Sequence, residues 1–469
     1  MMPALDPRGT APTRVAFRTI GCKLNQCETA QMQELLSASG YLLVDWDEPA
    51  DVRVINTCTV TAKSDRTCRR EIRSAKRLDP GCVVAVTGCY AQVDPDAVAT
   101  IPGVDLVLGN IDKLRLPGHL HKHLARRPDG RGREACASQT STCVSSYPEH
   151  PVFEGEFFTH FYGYTRAFLK IQTGCDSRCA YCVIPLARGP ARSMPEADVL
   201  EQVRRLTARD YQEVVLTGID LGRWGKDSGA GSLADLLALL VEQGGASRYR
   251  LSSIEPMELD GALLDVIERA GDRVARHFHL PLQSGSDPVL RRMGRPYSAA
   301  EYLDVTKGLV HRFPDAALGA DVIVGFPGET DPEFEETCSF IEHAPLTYLH
   351  VFSYSDRPGT RASLMEPKVD PDTIRERSVR LRELGERKNA LFRHALAGTD
   401  QRALVLKERT PEGLLLGLTG NYQEVLLEGD ATLANRFVRV RMSRPLTDGR
   451  WETVLVHEEP VASMGASIP

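Results

Sequence analysis

The chain has 469 residues, a formal net charge of −6, 42% hydrophobic residues and 26% charged residues, the composition of an ordinary soluble protein with several domains. The acidic balance excludes a uniformly basic nucleic-acid binder but permits local basic patches. No apolar run reaches eighteen residues, and MMPALDPRGTAP lacks the basic start and apolar core of a secretory signal. We therefore expect a cytoplasmic protein, in which twelve cysteines are metal ligands, catalytic groups or buried thiols rather than disulfides.

The first segment, 12–121, alternates short β-rich runs with helical patterns. This is the rhythm of βαβ units and predicts an open parallel α/β sheet, whose ligands bind outside the carboxyl ends of the strands. Three cysteines lie at those ends: Cys22 after TIG, Cys58 after INT and Cys89 after VTG. From periodicity alone they are either ligands of one cluster or three unrelated buried thiols.

The remainder of the chain predicts two further domains. Residues 122–160 are polar, broken by Pro and Gly, and without periodicity, which indicates a linker. Over 161–397 six candidate strands alternate with helices, which predicts a partial (βα)6 barrel with its active face at the strand ends. Over 398–462 short strands with turn signals predict a small all-β barrel. The predicted fold class is α/β.

The sharpest local signal is the C-x3-C-x2-C run of Cys175, Cys179 and Cys182, directly after a predicted barrel strand. A structural zinc site normally takes four protein ligands. Three thiolates on one loop suit an iron–sulfur cubane whose fourth iron stays open for a substrate. Three buried or zinc-bound cysteines are the alternative.

This run at the end of the first strand of a partial barrel resembles the signature of radical S-adenosylmethionine enzymes. The resemblance implies a [4Fe–4S] cluster whose open iron binds S-adenosylmethionine, which is then cleaved to a 5′-deoxyadenosyl radical. It places Tyr181 beside the adenine, and Thr217 and Gly218 of the LTGID turn beside the methionine amine. Glu255 and Gln283 become candidate contacts to the amine, ribose or substrate, with ordinary loop polarity as the alternative.

Three more motifs, GCKLNQ, NTCTVTAKSDRTCRR and TGCYAQ, resemble the cysteine motifs of the N-terminal domain of methylthiotransferases. The segment GLTGNYQEVLLEG resembles the TRAM domain that binds RNA in these enzymes. HLPLQSGSD, GFPGET and YSDRPGT also fall into register, so that the resemblance covers nearly the whole chain. It implies that Cys22, Cys58 and Cys89 hold a second [4Fe–4S] cluster.

The wording of GCKLNQ and TVTAKSDRTCRR is most similar to the branch that acts on C2 of N6-threonylcarbamoyladenosine at tRNA position 37. The resemblance implies that one S-adenosylmethionine supplies a methyl group to a sulfur at the second cluster. The radical then removes hydrogen from C2 of the adenine, where the methylthio group is delivered. The alternatives are the isopentenyladenosine branch, the branch that acts on a ribosomal-protein aspartate and, in another class, a non-catalytic zinc and RNA-binding protein.

The implied partners are the tRNA anticodon stem-loop, an electron donor such as flavodoxin or ferredoxin, and a sulfur source. Basic residues are candidate phosphate contacts, with a solvated charged face as the alternative. On one predicted helix they are Arg66, Arg69, Arg70, Arg73, Lys76 and Arg77; His121, Lys122, Arg126 and Arg127 follow later. In the C-terminal domain the candidates are Asn421 and Tyr422 together with a strip of arginines, Arg436, Arg439, Arg441 and Arg444. Tyr422 is equally a candidate core aromatic.

The other cysteines are expected to be packed thiols without a ligand role. They are Cys27, Cys68, Cys82, Cys136, Cys143 and Cys338.

Overall fold

The computed structural model describes residues 12–125 and 140–459, so that Arg126, Arg127 and Cys136 lie outside the described residues. The chain divides into two compact units. The first comprises the described residues up to Tyr162 with Gln172–Met194 and Ser355–Ser363, and the second comprises Gly163–Ile171, Pro195–Tyr354 and the described residues from Leu364 onward. No helix in the described ranges is both long and apolar enough to cross a membrane.

The first unit contains a six-stranded parallel sheet with the strand order β2-β1-β3-β4-β5-β6, as the βαβ pattern predicts. Strands β3 and β4 are buried at every position, which is typical of a parallel sheet covered on both faces. The elements are β1 (Arg14–Thr19), α1 (Lys23–Ala38), β2 (Leu42–Val44), β3 (Val52–Thr57), α2 (Ala62–Leu78), β4 (Val83–Gly88), α3 (Cys89–Val93), α4 (Pro95–Ala99), β5 (Leu106–Leu108), α5 (Leu116–Ala125) and β6 (Ser141–Cys143).

Strand β6 lies inside the segment 122–160 that the sequence predicts to be a linker. It pairs in parallel with β5 and adds the sixth strand. Further along the same segment, Gln31 on α1 donates from Nε2 to the carbonyl oxygen of Glu156 at 2.9 Å. A three-residue strand is too short to show a period of two, so only its pairing with β5 reveals it.

The central region begins with β7 (Ala167–Lys170) in the second unit. The chain then enters the first unit, where the two-stranded antiparallel pair β8 (Gln172–Thr173) and β9 (Arg192–Ser193) brackets α6 (Ile184–Arg188). The segment Ser355–Ser363 also belongs to the first unit. The compact units are therefore built from discontinuous segments, whereas the predicted domains are continuous stretches of the chain.

Six parallel strands form the predicted partial barrel as two sheets, β11-β10-β7 and β12-β13-β14, and a bridge between Tyr249 and Val274 joins the two series. Helices α8, α11 and α12 begin at capping boxes, which satisfy the free N–H groups of their first turns. The elements are α7 (Glu196–Thr207), β10 (Glu213–Thr217), α8 (Leu233–Gln243), β11 (Arg248–Leu251), α9 (Gly261–Ala270), β12 (His277–His279), α10 (Asp287–Met293), α11 (Ala299–Arg312), β13 (Ala317–Val324), α12 (Asp331–His343), β14 (Tyr348–Ser353) and α13 (Pro371–Leu396).

The C-terminal strands close into a five-stranded barrel with the order β15-β16-β17-β19-β18, which confirms the predicted small all-β barrel. Its core contains Val425, Met442 and Trp451, all fully buried. The strands are β15 (Asp400–Arg409), β16 (Leu415–Thr419), β17 (Glu424–Leu427), β18 (Phe437–Pro445) and β19 (Trp451–Glu458).

Candidate active site

The three strand-end cysteines of the first unit lie together. Cys22 caps the start of α1, Cys58 follows β3, and Cys89 is the first residue of α3. Burial, with smaller contributions from the neighbouring Cys89 and Cys22, raises the pKa of Cys58 to about 11. The parallel sheet thus gathers three thiols that are far apart in sequence at one edge, as the strand-end argument predicts.

A glycine makes room for this gathering. Gly21 has φ +112°, and a Cβ added there would lie 2.7 Å from Cβ and 3.1 Å from Sγ of Cys58. Both the positive φ and the close approach exclude a larger side chain at this position. The glycine of the GCKLNQ motif therefore allows Cys22 and Cys58 to approach each other.

Two asparagines hold the strand ends in place. Asn25 donates from Nδ2 to the carbonyl oxygens of Ile20 at 2.8 Å and Thr57 at 3.0 Å, which joins the loop after β1 to the end of β3. Asn110 donates from Nδ2 to the carbonyl oxygen of Ala187 at 2.6 Å, and the same Nδ2 lies 3.7 Å from Sγ of Cys89. Helix α6 is therefore tied directly to the cysteine site.

Arg188, the last residue of α6, is the buried cation of this site, with 2% of its surface exposed. It donates from Nη1 to Glu28 at 2.9 Å and from Nη2 to Asn25 at 2.6 Å, and Glu28 also pairs with Lys113. Burial lowers the pKa of the Arg188 guanidinium, but Cys89 and Glu28 outweigh burial and raise it well above its usual value. Its Nε has no hydrogen-bond partner among the described residues.

These residues fit an iron–sulfur cluster. Three thiols gathered at one edge are stabilised as thiolates when they bind iron. An unpaired buried N–H such as that of Arg188 needs an acceptor, and cluster potentials depend on hydrogen bonds to sulfur. The sequence signals singled out none of the supporting residues Asn25, Glu28 and Asn110, because their roles depend on contacts between distant segments.

The C-x3-C-x2-C loop lies in the same compact unit, and its three cysteines are partly exposed. The backbone N–H of Cys175 donates to the carbonyl oxygen of Gly189 at 3.1 Å, and that of Cys182 donates to Cys179 at 3.2 Å. The N–H of Ser177 points at Sγ of Cys175 at 3.4 Å. Helix α6 follows this loop directly and so connects it with the strand-end site through Arg188.

A second polar region lies in the second unit, at the carboxyl ends of the barrel strands. Thr217 ends β10, and the N–H of Gly218 points at Oγ of Ser252 at 3.4 Å. Glu255 follows β11, where burial raises its pKa although Arg295 pairs with it.

The remaining predicted cofactor contacts fall in both units. Gln283, after β12, has φ +68° and donates its N–H to the carbonyl oxygen of Asp321 at 2.8 Å. It lies with Thr217, Gly218 and Glu255 in the second unit, whereas Tyr181 lies on the cysteine loop of the first unit. The barrel thus places four of the five predicted contacts at its strand ends.

Three ionisable side chains on the barrel strands, His279, Asp321 and His350, lie close together and were not among the sequence predictions. Nε2 of His279 lies 2.9 Å from Oδ1 of Asp321, and Nδ1 of His350 lies 3.3 Å from the same oxygen. The alternation of His277 and His279 in the buried strand HFH was a signal that could have found them, because a polar side chain on a buried strand is unusual.

The candidate RNA contacts divide into exposed and buried residues. On α2, Arg66, Arg70 and Arg73 are exposed, whereas Arg69 donates to the hydroxyl of Tyr90 at 2.8 Å. These positions leave a phosphate-binding role open for the three exposed arginines.

The candidate RNA contacts Asn421 and Tyr422 lie against the central barrel. Asn421 is 2% exposed and donates to the carbonyl oxygen of Asp315 at 3.0 Å. Tyr422 stacks on His277 with ring centroids 4.6 Å apart, and the Arg250 guanidinium lies over its ring. The pair joins the C-terminal barrel to the central barrel.

The other cysteines agree with the expectation of packed thiols within the described residues. Burial raises the pKa of Cys68 to about 12, and its Sγ lies 3.3 Å from the carbonyl oxygen of Cys58. Cys143 is partly exposed, and the buried ones are Cys27, Cys68, Cys82 and Cys338.

A C-x3-C-x2-C loop after the first strand of a partial barrel defines the class of radical S-adenosylmethionine enzymes. The model of the Radical SAM superfamily matches residues 169–341, and that of the uncharacterized protein family UPF0004 matches residues 14–109. A similar solved structure is the radical S-adenosylmethionine methyltransferase TsrM from Kitasatospora setae, with a TM-score of 0.53 and 16% identity over 76% of this chain and 77% of that one. This likeness shows the fold.

Similar curated proteins narrow the class. The threonylcarbamoyladenosine tRNA methylthiotransferase MtaB of Aquifex aeolicus is 40% identical over 89% of this chain and 97% of its own length. The protein of the same name from Bacillus subtilis is 38% identical over 95% and 97%. The tRNA-2-methylthio-N(6)-dimethylallyladenosine synthase of Methylobacillus flagellatus is 32% identical over 93% and 98%. The chain therefore belongs to the radical S-adenosylmethionine methylthiotransferase family, whose cofactors are [4Fe–4S] clusters and S-adenosylmethionine.

Proposed function

We propose that the protein adds a methylthio group to C2 of N6-threonylcarbamoyladenosine at tRNA position 37, next to the anticodon. The observation that carries this proposal is that two cysteine triads lie in one compact unit, in which Arg188 of α6 binds Glu28 and Asn25 beside the strand-end triad. The activity named for the relatives at 38–40% identity, threonylcarbamoyladenosine tRNA methylthiotransferase, supports the substrate. Dimethylallyladenosine in tRNA is the second candidate, because relatives at 32% identity act on it.

The two cysteine triads take different roles in this proposal. Cys175, Cys179 and Cys182 hold the cluster that binds S-adenosylmethionine, and Cys22, Cys58 and Cys89 hold the second cluster. When bound, these groups supply radical formation and methylthio transfer, which a C–H bond on an aromatic base requires because it has no acid–base route at neutral pH. Arg188 holds a positive charge beside the second triad.

The protein's other residues bind and orient. Tyr181, Thr217, Gly218, Glu255 and Gln283 contact S-adenosylmethionine or the substrate in this proposal. The buried positions of Thr217 and Gln283 suit groups that exclude water and fix geometry.

The RNA partner is the anticodon stem-loop, whose bases can be unstacked for chemistry. The exposed Arg66, Arg70 and Arg73 on α2 contact its phosphates. The reaction also needs an electron donor such as flavodoxin or ferredoxin and a sulfur source, and we place it in the cytoplasm with its tRNA.

Mass spectrometry of tRNA nucleosides tests the proposal. Deleting the gene should remove the methylthio mark from N6-threonylcarbamoyladenosine, and the wild-type gene should restore it. The Cys179→Ala variant is the control that should not restore it. A mark that disappears instead from dimethylallyladenosine or from a ribosomal protein would select one of the other branches, and no lost mark would reject the proposal.

A further inference from the structure

The inner face of the barrel strands carries a polar cluster that the cysteine chemistry does not use. On β14, Leu349 packs against Gly385 of α13, and Oγ of Ser353 lies 3.2 Å from Oγ of Ser378 on the same helix. These residues therefore face outward. Because side chains alternate along a strand, His350 faces the barrel interior.

Strand pairing brings two further side chains onto this face. Asp321 is paired with His350, and His279 is paired with Gly319, two residues before Asp321 on the same strand and so on the same face. Gly319 leaves space for the ring of Tyr348, which a Cβ at this position would displace. We call His279, Asp321 and His350 the inner-face triad.

The inner-face triad is organised by hydrogen bonds on its inner side. Tyr348 Oη lies 3.0 Å from Nδ1 of His279 and 2.7 Å from Nε2 of His277. His279 Nε2 then reaches Asp321 at 2.9 Å, so both of its ring nitrogens are engaged. This arrangement fixes the Asp321 carboxylate, which holds His350 through Nδ1 at 3.3 Å.

The electrostatics keep this arrangement polar. Burial raises the pKa of Asp321, but hydrogen bonds from His279 and His350 outweigh burial and hold it well below its usual value. The carboxylate is therefore ionised at neutral pH and binds an N–H of each imidazole. The His350 side chain is 56% exposed, and its Nε2 has no partner among the described residues. Nε2 of His350 can therefore still bind another molecule.

We propose that the inner-face triad, through His350, recognises the polar N6-substituent of the substrate adenosine and so sets the choice between a threonylcarbamoyl and a dimethylallyl substituent. This inference rests on the proposed function and adds its specificity determinant. The threonyl hydroxyl can donate a hydrogen bond to Nε2 of His350, whereas a dimethylallyl group would cover the imidazole and the ionised Asp321 without a hydrogen bond. Sites that pair with a polar substrate group reject analogues that lack it strongly, because buried polar groups are then left unpaired.

The test uses the full-length enzyme, reconstituted with iron and sulfide without oxygen, and anticodon stem-loop RNAs that carry threonylcarbamoyladenosine or dimethylallyladenosine. His350→Phe keeps a ring but removes the polar nitrogens, and His350→Gln keeps a donor and an acceptor. His311→Phe, at an exposed position of α11, is the matched control. The readouts are kcat and KM for methylthiolation of each RNA, and 5′-deoxyadenosine formed without RNA.

We expect His350→Phe to lower kcat/KM on the threonylcarbamoyl RNA about 10- to 100-fold, mainly by raising KM. The ratio of kcat/KM between the threonylcarbamoyl and dimethylallyl RNAs should therefore become smaller. His350→Gln should recover part of the loss, and His311→Phe should match the wild type. Unchanged 5′-deoxyadenosine formation without RNA shows that the variants are folded and loaded.

Three results would overturn the inference while leaving the proposed function intact. In the first, the wild-type enzyme modifies the threonylcarbamoyl RNA, but His350→Phe changes neither the kcat/KM on this RNA nor the ratio of kcat/KM between the two RNAs by more than about twofold. Another is a loss in His350→Phe that is equal for both RNAs. In the third, metal analysis finds one equivalent of a metal other than cluster iron in the wild type and none in His350→Phe. The triad would then be a metal site. A wild-type enzyme without activity on threonylcarbamoyl RNA would instead reject the proposed function.

Discussion

Two buried glutamates, Glu28 in the first unit and Glu213 in the second, are each surrounded by cationic side chains but differ in what those cations do next. At Glu213, Arg248 and Arg250 both pair with the carboxylate and are fully buried. Their other N–H groups donate to carbonyl oxygens of the C-terminal barrel and its neighbouring segments, at distances of 2.9–3.2 Å. This cluster therefore attaches one barrel to the other.

At Glu28 the pairing is incomplete. Arg188 and Lys113 share the carboxylate, yet Nε of Arg188 has no partner among the described residues while Cys89 raises its pKa. A buried carboxylate with more than one cationic partner can therefore belong either to a structural cluster or to a cofactor site. When backbone carbonyls take the remaining N–H groups the cluster is structural, and when one N–H stays free beside thiols it suits an anionic cofactor.

We expect the largest effects from replacing single cysteines of the two triads in the first unit. Cys58→Ala should lower the iron content from about eight to about four per chain and stop methylthiolation, while 5′-deoxyadenosine still forms. Cys179→Ala should abolish 5′-deoxyadenosine formation. Iron analysis and product chromatography after anaerobic purification measure both outcomes.

Cys338→Ala, on α12, is the control for these variants and should keep about eight irons per chain. Full methylthiolation by Cys58→Ala would contradict the second cluster. Zinc without iron in the wild type would contradict the enzyme itself and support the non-catalytic alternative.

The next largest effect, on the free energy of unfolding, is expected from removing the charge of Glu213 in the structural cluster of the second unit. Burial raises the pKa of Glu213, but Arg248, Arg250 and Arg166 outweigh burial and lower it strongly. Glu213→Gln leaves these guanidinium groups without their counter-charge, which should cost about 3–5 kcal/mol of unfolding free energy. Urea unfolding measures the cost.

An exposed glutamate provides the control for that measurement. Glu201→Gln, which loses a surface pair with Arg205, should cost no more than about 0.5 kcal/mol. Equal costs at the two positions would show that the buried cluster does not hold the barrels together.

A smaller effect sharpens the role of Arg188. Arg188→Met removes the positive charge beside the thiols and should lower the midpoint potential of the second cluster by tens of millivolts, because a nearby cation favours the reduced, more negative state. Arg188→Lys keeps the charge and should recover most of the shift. Potentiometric titration followed by electron paramagnetic resonance measures this, and an unchanged potential in Arg188→Met would leave Arg188 a purely structural residue.

The smallest effect concerns Glu258, a third carboxylate, whose cationic neighbours are more distant than those of Glu28 and Glu213. Burial, and then Asp220, raise the pKa of Glu258 to about 7, although Lys226 and Arg223, at 3.6 Å and 3.9 Å, act to lower it. The folded state therefore holds this proton more tightly than the unfolded state, in which the pKa is about 4.5. The resulting stabilisation is complete below pH 4.5 and is lost as the pH rises through about 7.

Glu258→Gln should remove this pH dependence. Relative to the wild type, the variant should gain about 1 kcal/mol at pH 8, after allowance for solvent screening, and gain less at pH 5. Thermal unfolding at the two pH values measures the difference. A gain that is the same at both would show that Glu258 does not titrate in this range.

Motif spacing and strand periodicity determined much of this protein. The alternation of strands and helices predicted the parallel sheet, the partial barrel and the small β barrel, because hydrophobic periodicity is a local property. The strand-end rule then singled out Cys22, Cys58 and Cys89, since a parallel sheet brings all carboxyl ends to one edge.

Other features were decided only by the tertiary structure, because they depend on contacts between segments distant in sequence. Arg188 meets Glu28 across 160 residues, and Arg250 meets Thr419 across 169, so that no local pattern marks either pair. The inner-face triad similarly requires the register of three strands. The sequence by itself thus determined which local elements form and which cysteines end their strands, and tertiary packing decided which buried charges are structural and which remain available for chemistry.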